Sequence, residues 1–181
     1  NDDFLLVLAE KGGAGNKGEF FIKNRITSET STKLANATGT HFYAAEIFNN
    51  YLYICSEDDI FIYNISNVAN ISLEKEYDEI SIPPDTFDLG CKAGSSVYKP
   101  YIAQDLGYLF VGNKDQEGFY IFDLNGNETQ PVLFFIEGGL NHKAQKFLYK
   151  GGHLYVFGKD NSNNNWVSIF RYNLFNNISL G

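Results

Sequence analysis

Five asparagines stand in Asn-X-Ser/Thr triplets: Asn36, Asn64, Asn70, Asn127 and Asn177. The side-chain amide of such an asparagine accepts an N-linked glycan when it lies on a surface loop of a secreted protein. Two thiols, Cys55 and Cys91, are too few for a disulfide framework. Their number alone leaves both one bridge and two buried thiols open. Asn113, Asp115 and Glu117, followed by Gly118, alternate oxygen ligands in the manner of a calcium loop, and Asp160, Ser162 and Asn164 do so more faintly. Neither set ends in the bidentate glutamate that completes such a loop. Calcium is therefore a weak candidate cofactor, and polar hairpin tips are the simpler account of both segments.

The histidines are His41, His142 and His153. His41 and His142, with Tyr98 and Lys99, fall at the entries of successive apolar segments and form a candidate polar ligand pocket. A metal or general-base role requires a carboxylate partner, and sequence places none beside them. His153 stands at an aromatic strand position, where packing is expected. The glycine-rich stretch 11–18 resembles a phosphate cradle, but it lacks the Gly-Lys-Ser/Thr ending and the strand-to-helix setting that phosphate binding needs. No catalytic motif is present.

What must position these groups is a set of strands. The chain has 181 residues, enough for one domain with a real core, and is 44% hydrophobic and 16% aromatic, which suits strands. Its formal net charge of -8 argues against nucleic acid and against an anionic membrane surface as partners. No apolar run approaches the length of a membrane span. The N-terminus lacks the features of a signal peptide, and there is no methionine, so the sequence is expected to be a processed chain or a section of a longer one.

One hairpin recurs. Tyr51-Leu52-Tyr53-Ile54 matches segments beginning at Phe4, Tyr108 and His153, at spacings of 47, 57 and 45 residues. Its second half, Ile60 to Asn64, matches segments beginning at Phe20, Phe119 and Ile169. An Asn or Asp closes each second strand (Asn24, Asn64, Asp123, Asn173), a residue type that turns the chain by bonding its own backbone two residues on. A further apolar segment precedes three of the hairpins, at 41–48, 97–104 and 143–149. Outer strands are expected at 71–79 and 131–137, with weaker ones at 33–37 and 177–180. Four antiparallel strands, A to D, per roughly 45 residues is the spacing of β-propeller blades. The expected blades are a partial first at 1–38, then 39–80, 95–138 and 141–181. The connection 81–96, with two prolines and two glycines, is expected to hold no regular strand.

Residues 51–77 resemble the LVIVD-repeat family of β-propellers. In that family an outer hairpin ends in an Asp-(Ile/Val)-Ser-Asn-Pro turn. Asn64-Ile65-Ser66-Asn67 fits, and Val68 stands where the family has proline. The resemblance implies a propeller of the kind found on secreted and cell-surface proteins, mostly without assigned catalysis, and carries over no active site. With about 3.75 blades counted, a larger ring completed by other blades or neighbouring subunits is expected. Asn70, Asn127 and Asn177 then fall in C–D connections on one rim. The B–C and D–A connections share the other rim, which allows Cys55 and Cys91 to meet, and secretion favours a disulfide there.

The expectation is a non-catalytic recognition or scaffolding module of a secreted or cell-surface glycoprotein, binding a protein or glycan. The alternatives are a propeller enzyme of lyase or glycoside hydrolase type, or a structural subunit of a surface assembly. An enzyme needs paired carboxylates at a set separation or a metal cluster. Only Glu46 falls on an A strand, with Asp105 at a strand end.

Overall fold

Runs of β-branched and aromatic residues separated by Asn and Gly pairs form short antiparallel strands throughout. The computed structural model describes residues 3–10, 18–31, 34–35, 41–56, 59–77, 79–82, 85–88, 91–93, 96–113, 118–125, 132–134, 143–160 and 162–171. Among these the chain is all-β. The first sheet holds β1 (Phe4–Glu10), β2 (Gly18–Asn24) and β3 (Leu34–Ala35). The second holds β4 (Ala44–Phe48), β5 (Tyr51–Cys55), β6 (Ile60–Asn64) and β7 (Ser72–Tyr77). Two small hairpins follow, β8 (Glu79–Ile82) with β9 (Asp85–Asp88) and β10 (Lys92–Ala93) with β11 (Ser96–Val97). The third sheet holds β12 (Tyr101–Ala103), β13 (Tyr108–Gly112), β14 (Phe119–Asp123) and β15 (Val132–Phe134). The fourth holds β16 (Lys143–Lys150), β17 (His153–Lys159) and β18 (Asn165–Arg171). Strands in each sheet follow chain order, so every sheet is a simple meander.

The second and third sheets match the expected four-stranded units. The first has three strands among the described residues, with β1 at one edge. The weak outer strand at 177–180 lies outside the described residues. The connection 81–96 departs from expectation, because β8 to β11 are regular paired strands. Ile82 pairs with Asp85, so both prolines fall between the paired residues. There a missing N–H removes no ladder bond, and proline does not exclude a hairpin.

Side-chain alternation divides each middle strand between two cores. On β5, Leu52 and Ile54 join the core shared with the first sheet, while Tyr53 and Cys55 join the core shared with the third. On β13, Leu109 and Val111 face the second sheet and Phe110 faces the fourth. Both faces of these strands are buried, which explains their nearly unbroken apolar sequence. β18 instead alternates exposed and half-buried positions.

Each junction between consecutive sheets contains an edge-to-face aromatic pair. Phe20 meets Tyr63 at 4.9 Å, Tyr77 meets Phe122 at 5.2 Å, and Phe119 meets Phe147 at 5.3 Å. Such pairs contribute about 0.5–1.5 kcal/mol beyond the area they bury. Backbone contact also crosses the junctions. The Gln104 side chain donates to the Ile47 carbonyl at 2.9 Å, and Lys99 N–H donates to the Gln145 carbonyl at 2.9 Å. Strands β4, β12 and β16 thereby lie in succession. The three cores join the first sheet to the second, the second to the third and the third to the fourth. Among the described residues, none of them joins the fourth to the first.

Candidate functional site

The two ends of the second and third sheets carry different chemistry. At one end the closing Asn or Asp of each hairpin folds the chain back. Asn24 Oδ1 accepts from the N–H groups of Ile26 at 2.9 Å and Thr27 at 3.0 Å. Asn64 Oδ1 accepts from Ser66 N–H at 3.0 Å, and Asp123 Oδ1 from Asn125 N–H at 2.9 Å. The residue after each of them bonds to the residue that begins its hairpin: Arg25 to Asp3, Ile65 to Asn50 and Leu124 to Gly107, at 2.7–2.8 Å. The same closure therefore appears in three consecutive sheets.

In the second sheet this turn continues through Ile65 and Val68, both buried in the core beneath it. Val68 is an apolar plug at the position where the resembled family has proline. Asn67 Oδ1 accepts from Ala69 N–H at 3.0 Å. Asn70 follows, exposed in the β6–β7 connection where a glycan acceptor was expected. Asn64 is half-buried with its side-chain oxygen engaged in the turn. Asn36, Asn127 and Asn177 lie outside the described residues.

The opposite end holds the disulfide. Cys55, the last residue of β5, bonds to Cys91 between β9 and β10, with their Cα atoms 5.6 Å apart. Both lie in the core between the second and third sheets. Around the bridge the backbone is knotted: Cys91 N–H donates to the Ser56 carbonyl at 2.8 Å and Tyr98 N–H to the Cys91 carbonyl at 2.7 Å. Ser56 and Asp59 are buried as well. Asp59 N–H donates to Ser56 Oγ at 2.8 Å, and that hydroxyl lies 3.1 Å from Asp59 Oδ2. The sequence marks this turn as a solvated hairpin tip. The Ser-X-X-Asp spacing is the local signal that identifies the closed turn.

Of the first candidate calcium set, only Asn113 and Gly118 are described. Asn113 is fully buried and its N–H faces the Gly118 carbonyl at 3.4 Å. Asp115 and Glu117 lie outside the described residues. In the β17–β18 turn, Asp160 Oδ1 accepts from the N–H groups of Ser162 and Asn164, both at 2.8 Å, and Oδ2 from the Asn164 side chain at 2.8 Å. Both oxygens thus serve the loop itself. Among the described residues no group of three or more His, Cys, Asp or Glu side chains is placed to hold a metal ion.

Three of the four candidate pocket residues are described. Tyr98 is buried, close enough that a Cβ on Gly112 would approach its ring while running into the Ala144 carbonyl. Lys99 is exposed, and His41 sits half-buried beside Tyr43 with ring centroids 6.1 Å apart. His142 lies outside the described residues. His153 is half-buried, with Nδ1 2.9 Å from the Gly151 carbonyl.

Glu46 is the one acidic residue on β4, β12 and β16. It pairs across β4 and β5 with Tyr53, and burial raises its carboxyl above the ordinary range. Burial also pushes the hydroxyls of Tyr53 and Tyr63 up to about 12. A lone half-buried carboxylate can hold a proton, but two-carboxylate glycoside chemistry requires a partner that these strands do not supply. An open cleft of about 330 Å³ lies at one corner of the fourth sheet, between the start of β16, the end of β17 and the start of β18. Gly158 and Trp166 form its floor. Among the described residues, no helix is long and apolar enough to cross a membrane. No protein-family model matches the chain, and no curated protein matches its sequence.

Proposed function

We propose that the four sheets are consecutive blades of an LVIVD-like β-propeller serving as a non-catalytic recognition or scaffolding module of a secreted or cell-surface glycoprotein. The observation that carries this reading is the hairpin closure repeated at Asn24, Asn64 and Asp123. Turns built alike in three consecutive sheets, stacked in chain order with their inner strands side by side, are what radial repetition produces. A buried disulfide supports an oxidising compartment. The exposed Asn70 then stands on a glycan-accessible rim, and the triplets at Asn127 and Asn177 follow the next two repeats at similar sequence spacing. The bound partner on this reading is a protein or a glycan.

Secretion from a eukaryotic cell line tests the reading. Glycopeptide mapping is expected to find occupied Asn70 and at least one of Asn127 and Asn177, with Cys55 and Cys91 recovered as one disulfide peptide. Bare asparagines together with free thiols would overturn it.

A further inference from the structure

Cys55 is 1% and Cys91 0% exposed, and both belong to the core that includes Tyr53, Ile60, Leu109 and Tyr120. Thiol–disulfide exchange requires a thiolate to reach one of the two sulfurs. Crossing an apolar core strips that anion of its hydration with nothing in return. The bond therefore meets a reductant only when part of its surroundings moves away.

Two movements would expose it. The second and third sheets could part, which gives up their whole common core, the Tyr77–Phe122 pair included. Alternatively, the chain at Cys91 could lift. Its fastenings among the described residues can be named. Cys91 N–H donates to the Ser56 carbonyl at 2.8 Å, and Tyr98 N–H donates to the Cys91 carbonyl at 2.7 Å, closing the foot of the β10–β11 ladder. Tyr98 is buried with its ring beside Gly112 of the third sheet. Next to it, Lys99 N–H donates to the Gln145 carbonyl of the fourth sheet at 2.9 Å. Cys91, Tyr98 and Lys99 thus form a clasp that runs from the second sheet over the third to the fourth. Its second-sheet end is fastened by the disulfide, and its far end by a ring and a backbone bond. An opening that breaks few contacts is populated far more than global unfolding.

We infer that the Cys55–Cys91 bond is a redox-sensitive lock on this clasp, cut by a dithiol reductant through local lifting of Cys91 and Tyr98. The dithiol's thiolate bonds to one half-cystine sulfur and displaces the other as a thiolate. The reductant's second thiol then attacks the mixed disulfide and closes a ring. Both cysteines end as thiols carrying the two protons of the dithiol, and the reductant leaves as a cyclic disulfide. With the lock cut, the second-sheet end of the clasp rests on the backbone bond from Cys91 to Ser56. The hold of Lys99 on the fourth sheet then loosens as well.

Reduction of the intact oxidised chain by excess dithiothreitol at about pH 8, where thiolate is plentiful, tests this when free thiols are alkylated and counted by mass. Two variants loosen the far end of the clasp without touching a sulfur. Tyr98→Ala removes the buried ring and should speed reduction roughly a hundredfold. Lys99→Pro deletes the N–H that reaches Gln145 and should speed it about fivefold. Ile22→Ala weakens the core between the first and second sheets and should change the rate by less than about twofold. Should Tyr98→Ala fail to fold, Lys99→Pro against Ile22→Ala carries the comparison. Rates that follow the urea midpoints of all variants alike overturn the inference, because the bond then opens only by global unfolding. Wild-type reduction as fast as that of the urea-unfolded chain also overturns it, since the clasp then guards nothing. So does a bond that no variant makes easier to reduce, or an air-oxidised chain with free thiols.

Discussion

Replacing both half-cystines, Cys55→Ala with Cys91→Ala, should destabilise the chain by about 4 kcal/mol. The bridge closes a loop of 36 residues, and the chain-entropy relation gives roughly 3.8 kcal/mol at 25 °C for a loop of that length. Losing two buried sulfurs at a well-packed junction adds to this, while residual order in the unfolded chain subtracts. In urea, with a slope of roughly 2 kcal/mol per M, the midpoint should fall by about 2 M. The structure also predicts where the loss is felt. Cys91 N–H and Tyr98 N–H are held by the backbone knot around the bridge, so their exchange should accelerate more than that of Leu109 or Val111 in the neighbouring strand. A midpoint shift below about 0.5 M would refute the loop-closure argument, because at that slope it corresponds to roughly 1 kcal/mol. It would mean that the Ser56–Asp59 turn and the backbone knot already order the 56–91 segment without the covalent link.

Asn64→Ala should cost about 1 kcal/mol by thermal melting, since it removes an acceptor that closes the second sheet's turn. A matching loss for Asp123→Ala would show that the recurring turn is energetically equivalent as well as alike in geometry. Gly112→Ala should cost roughly 2–4 kcal/mol, because the added methyl meets the Ala144 backbone, which has no rotamer to yield with. A neutral melt would refute the tight approach of the third and fourth sheets. Ultraviolet titration should leave Tyr53 and Tyr63 protonated at pH 11. Their folded values lie above the unfolded ones, so the unfolded state loses protons first and stability should fall between pH 10 and 12. Glu46→Gln should raise the melting temperature at pH 7, since the buried carboxyl prefers its neutral form, and the gain should vanish below the ordinary carboxylate range, near pH 3.

The strands were legible in the sequence because their determinants are local. Tyr51 to Cys55 and Tyr108 to Gly112 are apolar almost throughout, as strands covered on both faces must be. Asn24, Asn64 and Asp123 announce turns by bonds that reach only two residues along the chain. The pairing of Cys55 with Cys91 was legible too, once the connections were assigned to a common rim. The hairpin of β8 and β9 was hidden because Pro83 and Pro84 read as breakers wherever they stand. Only the register, Ile82 opposite Asp85, shows that they interrupt nothing. Ser56 and Asp59 looked solvated because burial at a turn depends on what crosses above it, here the chain around Cys91.

The division of each middle strand between two cores makes those strands intolerant of changes in length. Deleting one residue from β13 would send Leu109 and Val111 toward the fourth sheet and Phe110 toward the second, exchanging the contents of two cores at once. The same deletion in β18 would exchange only exposed Val167 and Ile169 with half-buried Trp166 and Phe170. Single-residue deletions scanned along the chain should therefore be lethal to folding in β5, β6, β13 and β14 and milder in β18.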